Sequence, residues 1–212
     1  GLSPFGREVV AEMNRLGMIV DVAHASDETF YDVLEYSRAP IVSTHSCCRA
    51  LAHHRRNMSD EMLRALADKG GVIQINFYPV FLSDAFAKTL ADSGLEPKSW
   101  PEQDWINDPL NPEKAAAWNA VLDEFAALPR PSYKDVVDHI DHAVKVAGID
   151  SVGIGTDFDG IEVTPAGLEN ISKIGVIFDE MSSRGYTDDQ IEKVAGKNFL
   201  RVFNDVTSLT AK

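Results

Sequence analysis

The chain has 212 residues, 44% of them hydrophobic and 25% charged, which is the balance of a globular protein that folds in water. Its net charge of −13 argues against a nucleic-acid partner, because binding a phosphate backbone needs clustered Lys and Arg. No apolar run approaches the roughly 18 residues of a membrane span, so we expect a soluble protein, and no targeting segment indicates its localisation. The adjacent pair Cys47 and Cys48 fits neither a disulfide scaffold nor a zinc knuckle, and we expect both to be packing residues.

The predicted elements alternate between helix and strand along the chain. Periodic apolar patterns with capping residues at their ends predict helices, over Pro4–Leu16, 27–37, a segment that Ser59 opens, Tyr133–Ala147 and 187–204. Short apolar runs rich in β-branched residues predict strands, at 18–22, 40–44, 71–77 and 151–155. This alternation favours parallel βαβ units, and the nearly continuous apolar character of the strands is typical of a sheet buried on both faces.

Residues 79–131 interrupt this alternation. The stretch is rich in proline, contains all three tryptophans and includes a helical pattern at 112–128. We expect an insertion within a single domain that spans residues 1–212. Insertions of this size usually lie over the site as a lid or make a subunit contact.

Polar residues stand where the predicted strands end. His24 and His45 follow the first and second strands, and Asn76 lies near the end of the third. The fourth strand leads into Asp157 and Asp159. Because residues from the carboxyl ends of parallel strands converge, two neutral imidazoles one strand apart can bind a divalent cation such as zinc. The pattern predicts a hydrolytic metal site containing His24 and His45.

Each of the other candidates has a second interpretation. Arg56 follows His45 closely and can bind a substrate carboxylate through two hydrogen bonds, although such an arginine is usually solvated. Asp157 lies in a Gly-Thr-Asp-Phe-Asp-Gly loop, where it either takes part in catalysis or caps a turn. His139 and His142 fall on a predicted helix outside the sheet, and we expect them to be surface residues.

Five segments together resemble the membrane (renal-type) dipeptidase family of metallopeptidases, family M19. They contain, in chain order, DVAHAS, STHSCCRALAHHRRN, GGVIQINFY, GIGTDFDG and IEKVAGKNFLRVF. The resemblance runs from Gly1 to the C-terminal helix, and residues 79–131 are the least alike part. It implies an α/β fold of the TIM-type (β/α)8 barrel class, of which this chain supplies roughly the C-terminal half.

The resemblance also implies a function and a role for each site residue. It implies hydrolysis of dipeptides, including some with a C-terminal D-residue, at two zinc ions bridged by a carboxylate and a hydroxide. His24 and His45 match the two histidines that bind the second zinc. Arg56 matches the arginine that binds the terminal carboxylate of the substrate, and Asp157 matches the aspartate near the scissile nitrogen.

We expect one part of the family's site, the first metal site, to have no counterpart in this sequence. The first metal site uses a His-x-Asp pair early in the barrel and a bridging glutamate, and we regard both as absent from this chain. Four predicted strands are also half of the eight in a complete barrel. We therefore expect an N-terminal half of the barrel as a partner, little activity of this chain alone and a homo-oligomer.

Two other functions remain open at this stage. A related amidohydrolase that acts on a cyclic amide or a β-lactam would share the metals and differ in substrate. A non-catalytic binding or assembly module would have kept the barrel surface and lost the first metal site. Retention of both histidines, Arg56 and Asp157 counts against such a module, because a scaffold has no physical need for them.

Overall fold

The computed structural model describes residues 1–95 and 100–211 of the chain. Its strands are β1 (Val42–Ser46), β2 (Val72–Asn76) and β3 (Val152–Gly155). Its helices are α1 (Pro4–Leu16), α2 (Asp27–Tyr36), α3 (Asp60–Asp68), α4 (Pro79–Leu82), α5 (Asp84–Ser93), α6 (Trp100–Asn107), α7 (Pro112–Ala127), α8 (Tyr133–Ala147), α9 (Gly175–Ser183), α10 (Asp188–Glu192) and α11 (Asn198–Thr207). Short 3₁₀ turns lie at Ile149–Ser151, Ile171–Lys173 and Ser208–Ala211.

The three strands form one parallel sheet in the order β1-β2-β3. Helix α3 connects β1 to β2, and the segment containing α4 to α8 connects β2 to β3. The central strand β2 is fully buried at Val72, Ile73 and Ile75, as its apolar run predicted. The α/β class with a parallel sheet is confirmed, and β2 and β3 fall within their predicted segments.

The prediction of a sheet strand at residues 18–22 is wrong. The chain there makes one parallel bridge, between Asp21 and Val42, with hydrogen bonds from Val42 N to Val20 O at 3.0 Å and from Val22 N to Val42 O at 2.9 Å. The next donor of the ladder, Thr44 N, instead donates to the Asp21 carboxylate at 3.1 Å. The acidic side chain thus replaces the backbone acceptor and ends the pairing.

Strand β1 extends two residues further than predicted, so His45 lies inside it and not after it. Ser43 pairs with Ile73 and Ser46 pairs with Ile75, which leaves one extra residue in β1 at this point. An extra residue of this kind is a β-bulge, which redirects side chains and often lies beside active sites. The sequence pattern missed it because the apolar run stops before the bulge begins.

Capping residues fix the ends of the helices that the sequence predicted best. Helix α1 begins at Ser3, whose hydroxyl accepts from Gly6 N, and ends at Gly17 in the left-handed conformation. Helix α8 begins with a capping box between Ser132 and Asp135. Both helices have their predicted bounds, because these bonds depend only on residues within a few positions of each other.

The C-terminal helical segment is not the single helix that the pattern predicted. A turn of π-helix at Lys193–Lys197, with a non-helical backbone at Gly196, separates α10 from α11. Beside this break, the buried Asn198 amide donates to the carbonyls of Ile149 at 2.7 Å and Val152 at 2.8 Å. These two bonds attach the start of α11 to the start of β3.

Helices α4 to α7 occupy the predicted insertion, of which residues 96–99 lie outside the described residues. Phe86, Leu90, Trp118 and Phe125 are buried and belong to the main hydrophobic core. The stretch is therefore helical and packed, and its role as a lid or a subunit contact stays a prediction. None of the described helices combines the length and apolar character required to cross a bilayer.

Candidate metal centre

His24 and His45 meet at the carboxyl edge of the sheet. Their Nε2 atoms lie 2.8 Å apart, and the two rings are tilted by 59° with centroids 4.8 Å apart. His45 extends from the bulged end of β1, and His24 follows the segment that pairs with the start of that strand. Each ring therefore turns the same nitrogen towards the same point in space.

The surroundings of His24 favour its neutral form. Partial burial lowers its pKa below the ordinary value, and the positive charge of Arg56 and the neighbouring His45 act in the same direction. The carboxylates of Asp157 and Asp21 oppose this effect more weakly. Neutral imidazole is the form that binds metal ions, so the local charges prepare His24 for that role.

His45 is held by two residues that sequence reasoning missed. Its Nδ1 lies 2.8 Å from Thr44 Oγ1, and that hydroxyl donates to Asp21 Oδ2 at 2.5 Å. The second carboxylate oxygen of Asp21 accepts from the backbone N–H groups of Ala23 and Thr44. The available signal was Asp21 itself, since an acidic residue is rare in an apolar strand segment.

Arg56 lies beside His24 with an unused donor. Its Nε donates to Ala23 O at 2.8 Å and its guanidinium lies 5.4 Å from the centre of the Phe81 ring. Its Nη2 is buried and finds no hydrogen-bond partner among the described residues. Burial lowers the pKa of Arg56, and the charge of Asp157 counteracts this effect. A buried cationic donor without a partner is costly and fits an anionic ligand.

Asp157 follows β3 in a left-handed backbone conformation with φ of 57°, which is uncommon for a residue other than glycine. Its Oδ2 accepts from the Asn76 amide at 2.9 Å, and Gly160 N donates to its backbone carbonyl. Asn76 is itself fully buried at the end of β2, where its Oδ1 accepts from Tyr78 N. The ends of β2 and β3 thus hold this carboxylate in one position.

A cavity of about 560 Å³ opens beside these residues. His24 and Arg56 line it, together with Arg49, His53 and Arg55. Asn76 connects Asp157 to His45, because its Nδ2 donates to Asp157 Oδ2 at 2.9 Å and lies 3.5 Å from His45 O. The structure therefore brings His24, His45, Arg56 and Asp157 into one site, whereas Asp159 is exposed on the adjoining turn.

The prediction that His139 is a surface residue is wrong. His139 is 1% exposed, its Nδ1 accepts from Cys48 N at 3.0 Å and its Nε2 lies 3.2 Å from Leu82 O. Burial lowers its pKa to about 4. The helix pattern missed this, because the face that carries His139 packs against the segment after β1. His142 lies closer to the surface and contacts Asp60 Oδ1 at 2.7 Å.

The expectation that the sequence lacks a His-x-Asp pair is wrong, because His139 and Asp141 on α8 have this spacing. Both ring nitrogens of His139 are engaged in the interior. Asp141 accepts from Arg184 at 2.7 Å and from the Tyr186 hydroxyl at 2.7 Å. This pair is therefore occupied by structural bonds and offers no metal site.

Within residues 1–95 and 100–211, no group of three or more His, Cys, Asp and Glu residues is arranged to hold a metal ion. The described part of the chain therefore supplies two converging imidazoles and not a complete set of ligands. Cys47 and Cys48 do not contribute, because both thiols are buried and free, as expected for packing residues.

The proteins that this chain resembles in sequence and fold are metallopeptidases and dipeptidases. The profile of the membrane dipeptidase family (Peptidase family M19) matches residues 1–212, and the chain belongs to that family. An uncharacterised dipeptidase of Schizosaccharomyces pombe is 37% identical over 204 residues, which is 96% of this chain and 39% of that protein. Dipeptidase tcpJ of Claviceps purpurea is 35% identical over 211 residues, covering 100% of this chain and 40% of that protein.

Solved structures give the same relationship at the level of the fold. The probable dipeptidase PvdM of Pseudomonas aeruginosa aligns with a TM-score of 0.78 and 34% identity, over 99% of this chain and 55% of that one. A metallopeptidase of Rhodobacter sphaeroides bound to a phosphinate mimic of L-Ala-D-Ala aligns at 0.73 and 25% identity, over 97% and 47% of the two chains. The chain spans about two fifths of the length of the curated relatives it matches.

Proposed function

We propose that this chain carries one part of the active site of a zinc-dependent dipeptidase. In this proposal His24 and His45 bind zinc, Arg56 binds the terminal carboxylate of the substrate, and Asp157 acts on the leaving amine. The observation that carries the proposal is the convergence of two histidine nitrogens next to a buried guanidinium donor that lacks a partner.

The chemistry of the donors fits zinc. Neutral imidazole nitrogen is a preferred zinc ligand, and His24 lies where its neutral form is favoured. Zinc, when bound, supplies a Lewis acid that polarises the peptide carbonyl and lowers the pKa of a bound water. Because two imidazoles do not complete a zinc site, we propose that an N-terminal half of the barrel supplies the remaining protein ligands.

Arg56 orients the substrate. Its free Nη2 can donate to a carboxylate at the C-terminus of a dipeptide, while its Nε bond to Ala23 O keeps the guanidinium in place. A fixed carboxylate sets the distance from the peptide bond to the two histidines. This clamp favours substrates with a free C-terminus.

Asp157 moves the proton that hydrolysis requires. When water adds to the carbonyl carbon and the C–N bond breaks, the departing nitrogen must gain a proton. The Asn76 amide donates to Oδ2 of Asp157 and fixes the carboxyl group, which can take a proton from the attacking water and deliver it to that nitrogen.

The proposal extends to the rest of the enzyme. We propose that the chain forms roughly the C-terminal half of a TIM-type barrel, with residues 79–131 as an insertion near the site. The second zinc, the bridging carboxylate and the remaining strands would come from an N-terminal half, so this chain alone would have little activity. A homo-oligomer and acceptance of a C-terminal D-residue belong to the same proposal, the latter supported by the ligand of the Rhodobacter sphaeroides relative.

A second candidate is a related amidohydrolase that acts on a cyclic amide or a β-lactam. One solved neighbour, at 25% identity and a TM-score of 0.73, is described as an amidohydrolase of Pseudomonas aeruginosa. The unpaired donor of Arg56 favours the dipeptidase, because a carboxylate is the group that this position would recognise. A non-catalytic module would gain nothing from a buried guanidinium N–H group that lacks a hydrogen-bond partner.

Kinetics with matched substrates test the proposal on the longest natural form of the protein, supplied with zinc. We expect hydrolysis of L-Ala-D-Ala or L-Ala-L-Ala and much slower hydrolysis of the corresponding dipeptide amides. Arg56→Lys should raise KM for the free dipeptides by roughly tenfold to 100-fold, because lysine cannot form the planar paired bonds. Arg64→Lys, an exposed position on α3, is the matched control and should leave KM unchanged. Equal rates for dipeptides and their amides would contradict the carboxylate clamp.

A further inference from the structure

The bonds around His45 specify where its ring carries a proton. Thr44 has one hydroxyl proton, which it donates to Asp21 Oδ2 at 2.5 Å. An ionised carboxylate can only accept hydrogen bonds, so it cannot supply a proton in return. The contact of 2.8 Å between Thr44 Oγ1 and His45 Nδ1 must then use a proton on the histidine.

The orientation of Asp21 is fixed independently of the histidine. Its Oδ1 accepts from the backbone N–H groups of Ala23 at 3.0 Å and Thr44 at 3.1 Å. These bonds leave Oδ2 facing the Thr44 hydroxyl. The backbone bonds to Asp21 therefore set the direction of the hydrogen bonds, which run from His45 to Thr44 and from Thr44 to Asp21.

We infer that Thr44 and Asp21 are positioning residues that fix His45 as the Nδ1–H tautomer, with its Nε2 unprotonated and facing His24. The value of this arrangement to a metal ion rests on the proposed function. A ligand histidine must present a lone pair, and a partner on its other nitrogen is what selects the correct tautomer. In this site the partner is a neutral hydroxyl, and the carboxylate lies one step further away.

The inference also assigns the proton between the two histidines. Because His45 Nε2 accepts across the 2.8 Å contact, His24 Nε2 must donate when no metal is bound. Among the described residues His24 Nδ1 has no hydrogen-bond partner, so the His24 proton can move to Nδ1 once the contact with His45 is lost. Binding of a metal then requires a proton shift on His24 alone, and His45 is ready beforehand.

Long-range ¹H–¹⁵N NMR of the labelled chain without metal tests the tautomer directly. We expect His45 to show a protonated Nδ1 and an unprotonated Nε2. His139 is an internal reference of opposite sense, because its Nδ1 accepts from Cys48 N and its Nε2 must carry the proton. An unprotonated Nδ1 on His45 would overturn the inference.

We expect substitutions of Asp21 and of Thr44 to change the tautomer of His45 in different ways. Asp21→Asn keeps an oxygen for the two backbone donors and places an NH₂ group opposite Thr44. The Thr44 proton is then free to point at His45, and we expect the ring to switch towards the Nε2–H tautomer. Thr44→Val removes the partner and should give a mixture of tautomers, whereas Thr44→Ser keeps the hydroxyl and should preserve the original one. Thr89→Val, which removes a hydroxyl bonded within α5, is the control.

Zinc affinity, measured by competition with a chromophoric chelator, provides a second readout. We expect Asp21→Asn and Thr44→Val to weaken zinc binding by roughly tenfold to 100-fold, the usual effect of losing an outer partner, with Thr44→Ser and Thr89→Val unchanged. Unchanged tautomer and affinity in Thr44→Val, with a native circular dichroism spectrum, would refute the inference. If His45 has the expected tautomer and responds to Asp21→Asn, yet no protein form binds zinc, the proposed function fails while the assignment of Thr44 and Asp21 stands.

Discussion

His45 and His139 are both held by hydrogen bonds, and the comparison between them separates a ligand from a structural residue. His139 lies in the interior, and both of its ring nitrogens are used, by Cys48 N and by Leu82 O. His45 lies at the edge of the sheet, where Thr44 uses one nitrogen and the other faces His24. The two rings also carry their proton on opposite nitrogens.

This difference shows that sequence spacing alone does not identify a metal ligand. His139 and Asp141 have the His-x-Asp spacing of a metal pair, and their polar atoms are all engaged in structural bonds. His24 and His45 are 21 residues apart and share a point in space. The site is distinguished by two ring nitrogens, one from His24 and one from His45, that are directed at a common point. Only contacts between segments far apart in the sequence bring these nitrogens together.

The largest expected effect comes from removing one of the two proposed zinc ligands. His24→Ala and His45→Ala should each reduce dipeptide hydrolysis by the complete enzyme by about 10³-fold, since the metal supplies several kcal/mol to the reaction. Their free energy of unfolding without metal should change by less than about 0.5 kcal/mol, because both lie at the edge of the fold. Metal analysis and chemical denaturation measure the two effects.

His139→Ala should show the reverse pattern. It leaves Cys48 N and Leu82 O without partners in the interior, which should cost about 3 kcal/mol of unfolding free energy. Zinc content of the folded fraction should stay normal. Loss of zinc in His139→Ala at full folding, or its retention in His45→Ala, would break the distinction between the two histidines.

The third prediction concerns pH. Burial lowers the pKa of His139 from 6.5 to about 4, so between these values the unfolded chain binds a proton that the folded chain excludes. Folding stability should therefore fall as the pH decreases from about 6.5 to about 4, by up to about 3 kcal/mol from this residue. Denaturation of the wild type and His139→Gln at a series of pH values measures the difference. Identical pH dependence in the two proteins would show that His139 does not titrate in this window.

The smallest expected effect concerns the position of Asp157. A Cβ at Gly160 would collide with Asp157 Oδ1, a side-chain atom and not backbone, so Gly160→Ala should displace the carboxylate from its bond with Asn76 without unfolding the loop. We expect kcat to fall about tenfold with KM nearly unchanged, because a small displacement of a catalytic group is costly. Gly175→Ala, where a Cβ meets nothing within 4 Å, is the matched control. An unchanged kcat in Gly160→Ala would argue against a catalytic role for Asp157.

Much of the candidate site was visible in the sequence. His24, His45, Arg56 and Asp157 were identified from polar residues at strand ends and from the family resemblance, and the structure brings them together. Asp21 and Thr44 were missed, because their importance lies in bonds to one another and to His45. Asn76 was noted at its strand end, but its bond to Asp157 joins residues 81 positions apart.

The sequence by itself determined the features that depend on local bonds and on the burial of continuous apolar runs. These include the bounds of α1 and α8, set by Ser3, Gly17 and the Ser132 capping box, and the buried strands β2 and β3. Only the tertiary structure decided the bulge in β1, the end of the first strand's pairing at Asp21 and the burial of His139. Each of these depends on which distant group supplies a hydrogen bond, and a donor such as Cys48 N, 91 residues from His139, leaves no mark in a local pattern.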